Sequence, residues 1–166
     1  EFGFRGDGKH PLEAAMDRPY GLAVSPDGKN VYIADYGNNC IREVDMNDKI
    51  IRTVCGTGEP GYEGDGGEAV KAKLNGPFWV SVWPPNYLLI ADTENNCIRI
   101  CNLKTNIIQT LIGKKDFGYY DSNVLDGNVK LNIPAGMVVD SKKNILYIAD
   151  YGNNAIRRIT LGQVPC

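Results

Sequence analysis

The 166-residue chain is long enough to bury a substantial hydrophobic core. Its 18 basic and 20 acidic residues are dispersed and give a net charge of −2, which argues against a phosphate-tracking surface or a charged tail. The 19 glycines and the short apolar runs favour short strands joined by tight turns. Those runs are too short to cross a bilayer, so we expect an all-β protein without membrane insertion.

Three segments of the chain repeat one another closely. Residues 33–42, 90–99 and 148–157 share the pattern Ile-Ala-Asp-x-x-Asn-Asn-x-Ile-Arg, and prolines 19, 77 and 134 keep nearly the same spacing. Identity at seven of ten positions in all three segments marks a repeat architecture. The chain is therefore predicted to form one domain over residues 1–166, with three units at approximately residues 3–60, 61–117 and 118–161.

Each unit contains four predicted strands in chain order. Alternating apolar residues after the proline predict strand A, as in Leu22 with Val24. Strand B is apolar on both faces and is expected to be buried at residues 31–34, 88–91 and 145–149. Strand C follows the Asn-Asn pair at residues 40–45, 97–101 and 155–159, and strand D covers residues 50–55 and 107–112. Four antiparallel strands per unit predict the blade of a β-propeller, with eleven strands and open edges at both ends.

The segment between successive blades is rich in glycine. Residues 3–8 and 61–66 match as Gly-aromatic-x-Gly-Asp-Gly, and residues 118–123 are a degraded third copy. Leu12 with Met16, and Val70 with Leu74, recur at the i, i+4 spacing of a short helical turn. The Ser25-Pro-Asp-Gly28 segment predicts a tight turn between strands A and B, because proline presets φ and glycine accepts a positive φ.

These motifs resemble the NHL repeat over residues 3 to about 161. The resemblance rests on Pro-x-Gly-Leu-Ala-Val, Tyr-Ile-Ala-Asp-x-Gly-Asn-Asn-x-Ile-Arg and Thr-Val-x-Gly-Thr-Gly, although Asn-Cys stands where the family has Asn-His-Leu. It implies half of a six-bladed propeller that serves as a non-catalytic scaffold for a protein or peptide partner. Some propellers similar to this family are lyases or hydrolases, and some NHL propellers bind RNA. A fragment of a propeller enzyme and an RNA-binding propeller are therefore the alternatives, although no nucleic acid is favoured.

Recurring charged residues are interpreted as structural rather than catalytic. Aspartates at the end of strand B are expected to accept backbone N–H groups, and arginines on strand C to pair with aspartates. These residues are Asp35, Asp92 and Asp150, with Arg42, Arg99 and Arg157. The single histidine, His10, cannot build a multi-histidine zinc site, and Asp7 or Asp65 supplies too few oxygens for calcium. No catalytic residue, metal or cofactor is predicted.

The five cysteines are predicted to be reduced. Cys55 and Cys101 hold positions that are Ile or Val in other units, and Cys97 and Cys101 are too far apart along one strand to bridge. Reduced thiols favour a cytoplasmic location. Cys166 has no assigned role.

Aromatic residues that vary between units are the candidates for partner binding. They are Tyr20, Trp79, Trp83, Phe117, Tyr119 and Tyr120. Trp79 replaces the Gly21 and Gly136 of the other units, and such departures from a local rule tend to mark function. Packing between blades is the competing explanation. The open ends of the three units predict either a homodimer that completes the ring or closure by further blades of a longer chain.

Overall fold

The computed structural model describes residues 3–114, 116–120 and 128–162, and it is an antiparallel all-β structure. Its strands are β1 Pro19–Val24, β2 Asn30–Asp35, β3 Cys40–Asp45, β4 Ile50–Cys55, β5 Gly67–Glu68, β6 Pro77–Trp83, β7 Tyr87–Asp92, β8 Cys97–Asn102, β9 Ile107–Gly113, β10 Pro134–Asp140, β11 Ile145–Asp150 and β12 Ala155–Thr160. Three-residue 3₁₀ turns lie at Pro11–Glu13, Tyr36–Asn38, Ala69–Lys71, Thr93–Asn95 and Tyr151–Asn153.

The strands form three consecutive blades, which confirms the predicted propeller segment. Blade 1 has the order β1-β2-β3-β4, blade 2 has β6-β7-β8-β9, and blade 3 has β10-β11-β12. The two-residue strand β5, which was not predicted, pairs with the outer strand β9 of blade 2. An isolated bridge between Lys9 and Ile51 does the same in blade 1. The segment before each blade, called its connector below (residues 3–18, 61–76 and 117–133), thus lies along that blade's outer strand in the first two units.

Two turns of blade 1 follow from local chemistry, and the second of them recurs in the other two blades. The Gly28 N–H donates to the Ser25 carbonyl at 2.8 Å, and Gly28 has a φ of 73°, as the predicted tight turn requires. The second asparagine of each Asn-Asn pair ends a 3₁₀ turn in the left-handed conformation, at Asn39, Asn96 and Asn154. Asparagine tolerates this conformation better than most residues, so the recurring pair fixes the sharp passage from strand B to strand C.

The hydrophobic core lies between neighbouring blades. One cluster joins blade 1 to blade 2 through residues such as Tyr32, Ile41 and Leu88. A second cluster joins blade 2 to blade 3 through residues such as Ile98 and Leu146. Blade 2 is therefore covered on both faces, which explains why its strand B, β7, is apolar throughout and almost fully buried.

The first two connectors contain the predicted short helical turn, which is a three-residue 3₁₀ turn at Pro11–Glu13 and at Ala69–Lys71. Leu12 is exposed, so its i, i+4 spacing with Met16 does not mark a buried face. The described residues do not include Glu1, Cys166 or residues 121–123 of the degraded third Gly-rich block. No helix in the described ranges is long and apolar enough to span a membrane.

Candidate functional site

Each blade holds a buried arginine that ties the blade to its own connector. Arg99 on β8 donates from Nη2 to Asp65 Oδ1 at 2.7 Å, and its Nη1 lies 3.5 Å from Asp92 Oδ2. It also donates to the carbonyls of Glu63 and Lys73 in the connector. The guanidinium therefore links strands B and C to a segment about 35 residues earlier in the chain.

Blade 1 repeats this geometry, since Arg42 contacts Asp7 at 2.6 Å and Asp35 at 3.5 Å. In blade 3, Arg157 contacts Asp150 at 2.9 Å and donates to the connector carbonyls of Lys130 and Tyr120. The sequence analysis predicted that these arginines pair with aspartates, but it considered Asp7 and Asp65 only as calcium ligands and did not identify them as the partners. The only sequence signal was that Asp7-Gly8 and Asp65-Gly66 repeat, because the contact depends on the connector folding back.

The strand B aspartates accept backbone N–H groups from the connector. The N–H groups of Asp17, Asn75 and Asn132 donate to Asp35, Asp92 and Asp150 at 2.7–2.8 Å. The prediction named the right kind of bond but placed the donor in the following turn, where Asp35, Asp92 and Asp150 make no side-chain cap. Burial raises the pKa of Asp92 to about 6 and raises the pKa of Asp35, although hydrogen bonds and the arginines oppose the shift.

Tyr119 covers the buried arginine of blade 3, and its side chain is 63% exposed. The guanidinium carbon of Arg157 lies 4.9 Å from the centre of the Tyr119 ring. Phe4 and Tyr62 cover Arg42 and Arg99 in the same way at 5.4 Å. An aromatic residue thus occupies this position in all three units, which corrects the view that Tyr119 is particular to the third.

The two tryptophans pack between blades. Trp83 is only 8% exposed and contacts Tyr87 in the cluster between blades 2 and 3. Trp79 packs against the same cluster and approaches Gly21 on the other side, where a Cβ atom would lie 2.6 Å from the Trp79 Cα. Gly21 therefore leaves the room that Trp79 needs. For Trp83 the expectation of a partner surface is wrong, because its side chain is buried in the core.

Phe117 and Tyr120 lie in the third connector and are exposed, Phe117 to 72%. The Tyr120 carbonyl accepts from Arg157, and its backbone bridges to Lys130. The structure therefore distributes the six predicted aromatic residues over several places and does not gather them into one surface.

A partly exposed aromatic cluster lies instead at the junction of blades 1 and 2, with Tyr20 exposed and Tyr36 and Phe78 partly buried. Tyr20 is 50% exposed and stacks on Phe78, with ring centres 4.2 Å apart. Tyr36 meets both rings edge-on at 5.3 and 6.2 Å. We call Tyr20, Tyr36 and Phe78 the aromatic patch. The sequence pointed to Tyr20, whereas Tyr36 and Phe78 were not among the predicted site residues.

Charged groups of both signs frame the aromatic patch. The Arg18 guanidinium lies 5.1 Å from the centre of the Tyr36 ring, and the Tyr36 hydroxyl donates to Glu94 at 2.9 Å. That hydrogen bond to the carboxylate raises the pKa of Tyr36 and orients its ring. The patch thus combines ordered rings with polar groups at its edge, as protein interface anchors do.

The described residues contain no group of three or more His, Cys, Asp or Glu side chains that could hold a metal ion. His10 accepts a backbone bond from Leu12 at the surface. Cys40, Cys55, Cys97 and Cys101 are buried free thiols.

Comparison with known proteins identifies the repeat. The family model for the NHL repeat matches residues 16–43 and 131–159. The chain is 23% identical to NHL repeat-containing protein 2 of Gallus gallus over 92% of its own length and 32% of that protein. It therefore spans about a third of the relative.

Solved structures share the fold at low sequence identity. A protein of unknown function from Bacteroides thetaiotaomicron matches with a TM-score of 0.76 and 19% identity, over 90% of this chain and 37% of that one. Virginiamycin B lyase from Staphylococcus aureus matches with a TM-score of 0.54 and 20% identity, over 91% of this chain and 39% of the lyase. At such identities the likeness describes the fold.

Proposed function

Because the chain belongs to the NHL-repeat proteins, we propose that it is a non-catalytic interaction module that binds a protein or peptide partner through the aromatic patch. The observation that carries the proposal is the pre-ordered ring cluster of Tyr20, Tyr36 and Phe78, of which the Tyr20 ring is half exposed. The fold is shared with a lyase, so support for binding comes from this surface and not from the fold.

The rings of the patch are held before any partner arrives. Tyr20 and Phe78 stack on each other across the junction of two blades, and Glu94 fixes the Tyr36 hydroxyl. Ordering a side chain on binding costs about 0.5–1.5 kcal/mol, and that cost is smaller for rings already packed together. The half-exposed Tyr20 ring therefore offers apolar contact area at low entropic cost.

The patch occupies repeat positions whose residues change between units. Tyr20 and Phe78 correspond to Ala135 in blade 3, and Tyr36 corresponds to Thr93 in blade 2 and to Tyr151 in blade 3. The repeat itself does not require aromatic residues there. A surface built at variable positions on a repeating scaffold is the usual arrangement for a binding site in repeat proteins.

Selection of peptides from a random display library against the immobilised chain tests the proposal. Calorimetry then compares binding of the selected peptides to the wild-type chain and to Tyr20→Ala, for which we expect binding about 30-fold weaker, as for an interface hot spot. Tyr151→Ala is the matched control, since Tyr151 is an exposed tyrosine outside the patch.

Peptides that bind wild-type and Tyr20→Ala chains equally well contradict the patch as the binding surface. Failure to enrich any peptide contradicts a peptide-binding role. Turnover of a screened substrate by the chain, lost on substitution of a buried acid such as Asp92, would support the enzyme alternative instead.

A further inference from the structure

A groove of about 530 Å³ lies between blades 1 and 2, beside the turn that follows β1. Both of its walls belong to these two blades. The aromatic patch stands where β1 begins, whereas the groove lies where β1 ends. Five residues at about 3.3 Å each separate Tyr20 from Ser25, so the groove is roughly 16 Å from the patch and forms a separate surface.

The next blade junction shows what fills the same space in another unit. Between blades 2 and 3 the space is occupied by Trp83, which is 8% exposed and packs with Tyr87 and Ile100 of its own blade. In blade 1 the same three positions carry smaller or polar residues, namely Ser25, Asn30 and Glu43, and all three line the groove. Blade 1 therefore leaves open the slot that a tryptophan side chain closes in blade 2.

The wall that blade 1 contributes is acidic. Glu43 and Asp27 line the groove, and none of the described residues that line it is a lysine or arginine. The Glu43 side chain is 5% exposed and accepts from Arg52, which is itself 62% exposed and lines a neighbouring groove. Burial and the Glu43 carboxylate, which hydrogen-bonds to the Tyr32 hydroxyl, raise the pKa of Tyr32. A carboxylate has about four acceptor positions, so Arg52 and Tyr32 leave room for a further donor.

The acidic wall is held in place by hydrogen bonds of its own turn. The Ser25 hydroxyl donates to Asp27 at 2.6 Å and accepts from the Asn30 N–H at 2.9 Å. Lys29 Nζ lies 3.7 Å from Asp27, but the lysine side chain is 61% exposed. Burying Glu43 where blade 2 packs an isoleucine costs stability, and such departures from a repeat tend to lie at functional sites.

The wall that blade 2 contributes is largely apolar. It consists of Val82, Pro84, Pro85 and Leu103, with Asn86 beside them. Their rigid rings and branched side chains provide apolar contact for a flat ring. A ligand that matches both walls has a flat apolar body and a positive charge.

We propose that this groove is a second binding site, which takes a small molecule that has an aromatic ring and an ammonium group. The ring lies where Trp83 lies at the next junction, and the ammonium group donates to Glu43 or Asp27. A volume of about 530 Å³ is typical of small-molecule sites. The site does not depend on the aromatic patch or on what binds there.

An NMR titration of the chain with tryptamine tests the proposal, and two related compounds separate the effect of the ring from that of the charge. Butylamine has the ammonium group without the ring, and indole-3-propionate has the ring with a carboxylate. We expect tryptamine to bind with a Kd of about 0.1–1 mM and to shift the amide signals of Asn30, Tyr32 and Leu103. The other two compounds are each expected to bind about tenfold more weakly or worse, because one loses the apolar contact and the other meets like charges.

Two substitutions examine the two parts of the site. Ser25→Trp closes the slot as Trp83 does and is expected to weaken tryptamine binding about 30-fold or more, because the added indole occupies the site. Ser141→Trp is the matched control, since Ser141 is an exposed serine in the corresponding turn of blade 3, and it should bind tryptamine as the wild-type chain does. Glu43→Gln keeps the shape of the wall and is expected to weaken tryptamine binding about tenfold without weakening indole-3-propionate. Circular dichroism checks that each variant is folded.

Any of four results overturns the proposal. The first is the absence of shifts around the groove at about 10 mM tryptamine, and the second is equal binding of the three compounds. The third is tryptamine binding that neither Ser25→Trp nor Glu43→Gln weakens. The fourth is a set of shifts confined to the aromatic patch, which would locate the amine there. None of these results bears on peptide binding at the patch, which the selected peptides test separately.

Discussion

Removing a buried arginine tests how the blades are held to their connectors. In Arg99→Met the chain loses contacts to Asp65 and Asp92 and to two connector carbonyls. Breaking a buried ion pair by removing one partner costs about 3–5 kcal/mol, because the remaining charge is left uncompensated. Asp92 still accepts from the Asn75 N–H and from Asn95, so we expect the lower end of that range, about 3 kcal/mol.

The cost of Arg99→Met should depend on pH through Asp92. Burial raises the pKa of Asp92 from 3.8 to about 6 in the folded chain. Because the pKa of Asp92 is higher in the folded chain than in the unfolded chain, protonation of this carboxyl stabilises the fold. The stabilisation is fully present below pH 3.8 and is lost as the pH rises through about 6. Loss of the Arg99 cation raises the pKa of Asp92 further. The variant therefore folds with a neutral carboxyl at pH 5 and is destabilised less there than at pH 8.

Urea unfolding followed by tryptophan fluorescence at pH 5 and pH 8 provides the assay, since Trp79 and Trp83 lie in the same blade as Arg99. Lys71→Met, which removes an exposed ion pair with Glu68, is the control and should cost about 0.5 kcal/mol or less. Adding Asp92→Asn to Arg99→Met should recover about 1 kcal/mol at pH 8 by removing the unpaired charge. An Arg99→Met cost no larger than that of Lys71→Met, or equal at the two pH values, refutes the reasoning.

Two further predictions follow from packing. Gly21→Ala places a Cβ 2.6 Å from the Trp79 Cα and should lower the free energy of unfolding by about 1–3 kcal/mol. The control Gly136→Ala, whose Cβ meets nothing within 4 Å, should change it by about 0.5 kcal/mol or less. Equal effects of the two substitutions in urea unfolding would argue against the packing of Trp79 on Gly21. Burial raises the pKa of Cys40 and Cys97. The four buried thiols, Cys40, Cys55, Cys97 and Cys101, should therefore be unreactive toward a disulfide reagent at pH 8 until urea is added. Stoichiometric labelling of two or more thiols in the folded chain would contradict their burial.

The strands and their order were predictable because each unit repeats the same alternation of apolar residues. Strand B of blade 2 is apolar on both faces, and the structure covers both faces with neighbouring blades. The turn at Ser25–Gly28 and the asparagine turns also follow from local backbone preference, since glycine and asparagine accept positive φ.

The candidate site was only partly predictable, because it depends on which residues meet across blades. Trp83 and Tyr20 both stand at strand ends where the repeat varies, yet the first is buried against blade 3 and the second is half exposed. The pairing of Arg99 with Asp65 depends on a connector folding back along its own blade. The alternation of apolar residues along one strand predicts neither the packing of Trp83 against blade 3 nor the pairing of Arg99 with Asp65.

An NMR titration of the chain with a peptide selected against it tests the central claim most directly. The account predicts that the largest chemical-shift changes fall on Tyr20, Tyr36 and Phe78 and on the flanking Arg18 and Glu94. Shift changes confined to the third connector around Phe117 and Tyr120, with the aromatic patch unaffected, would contradict it.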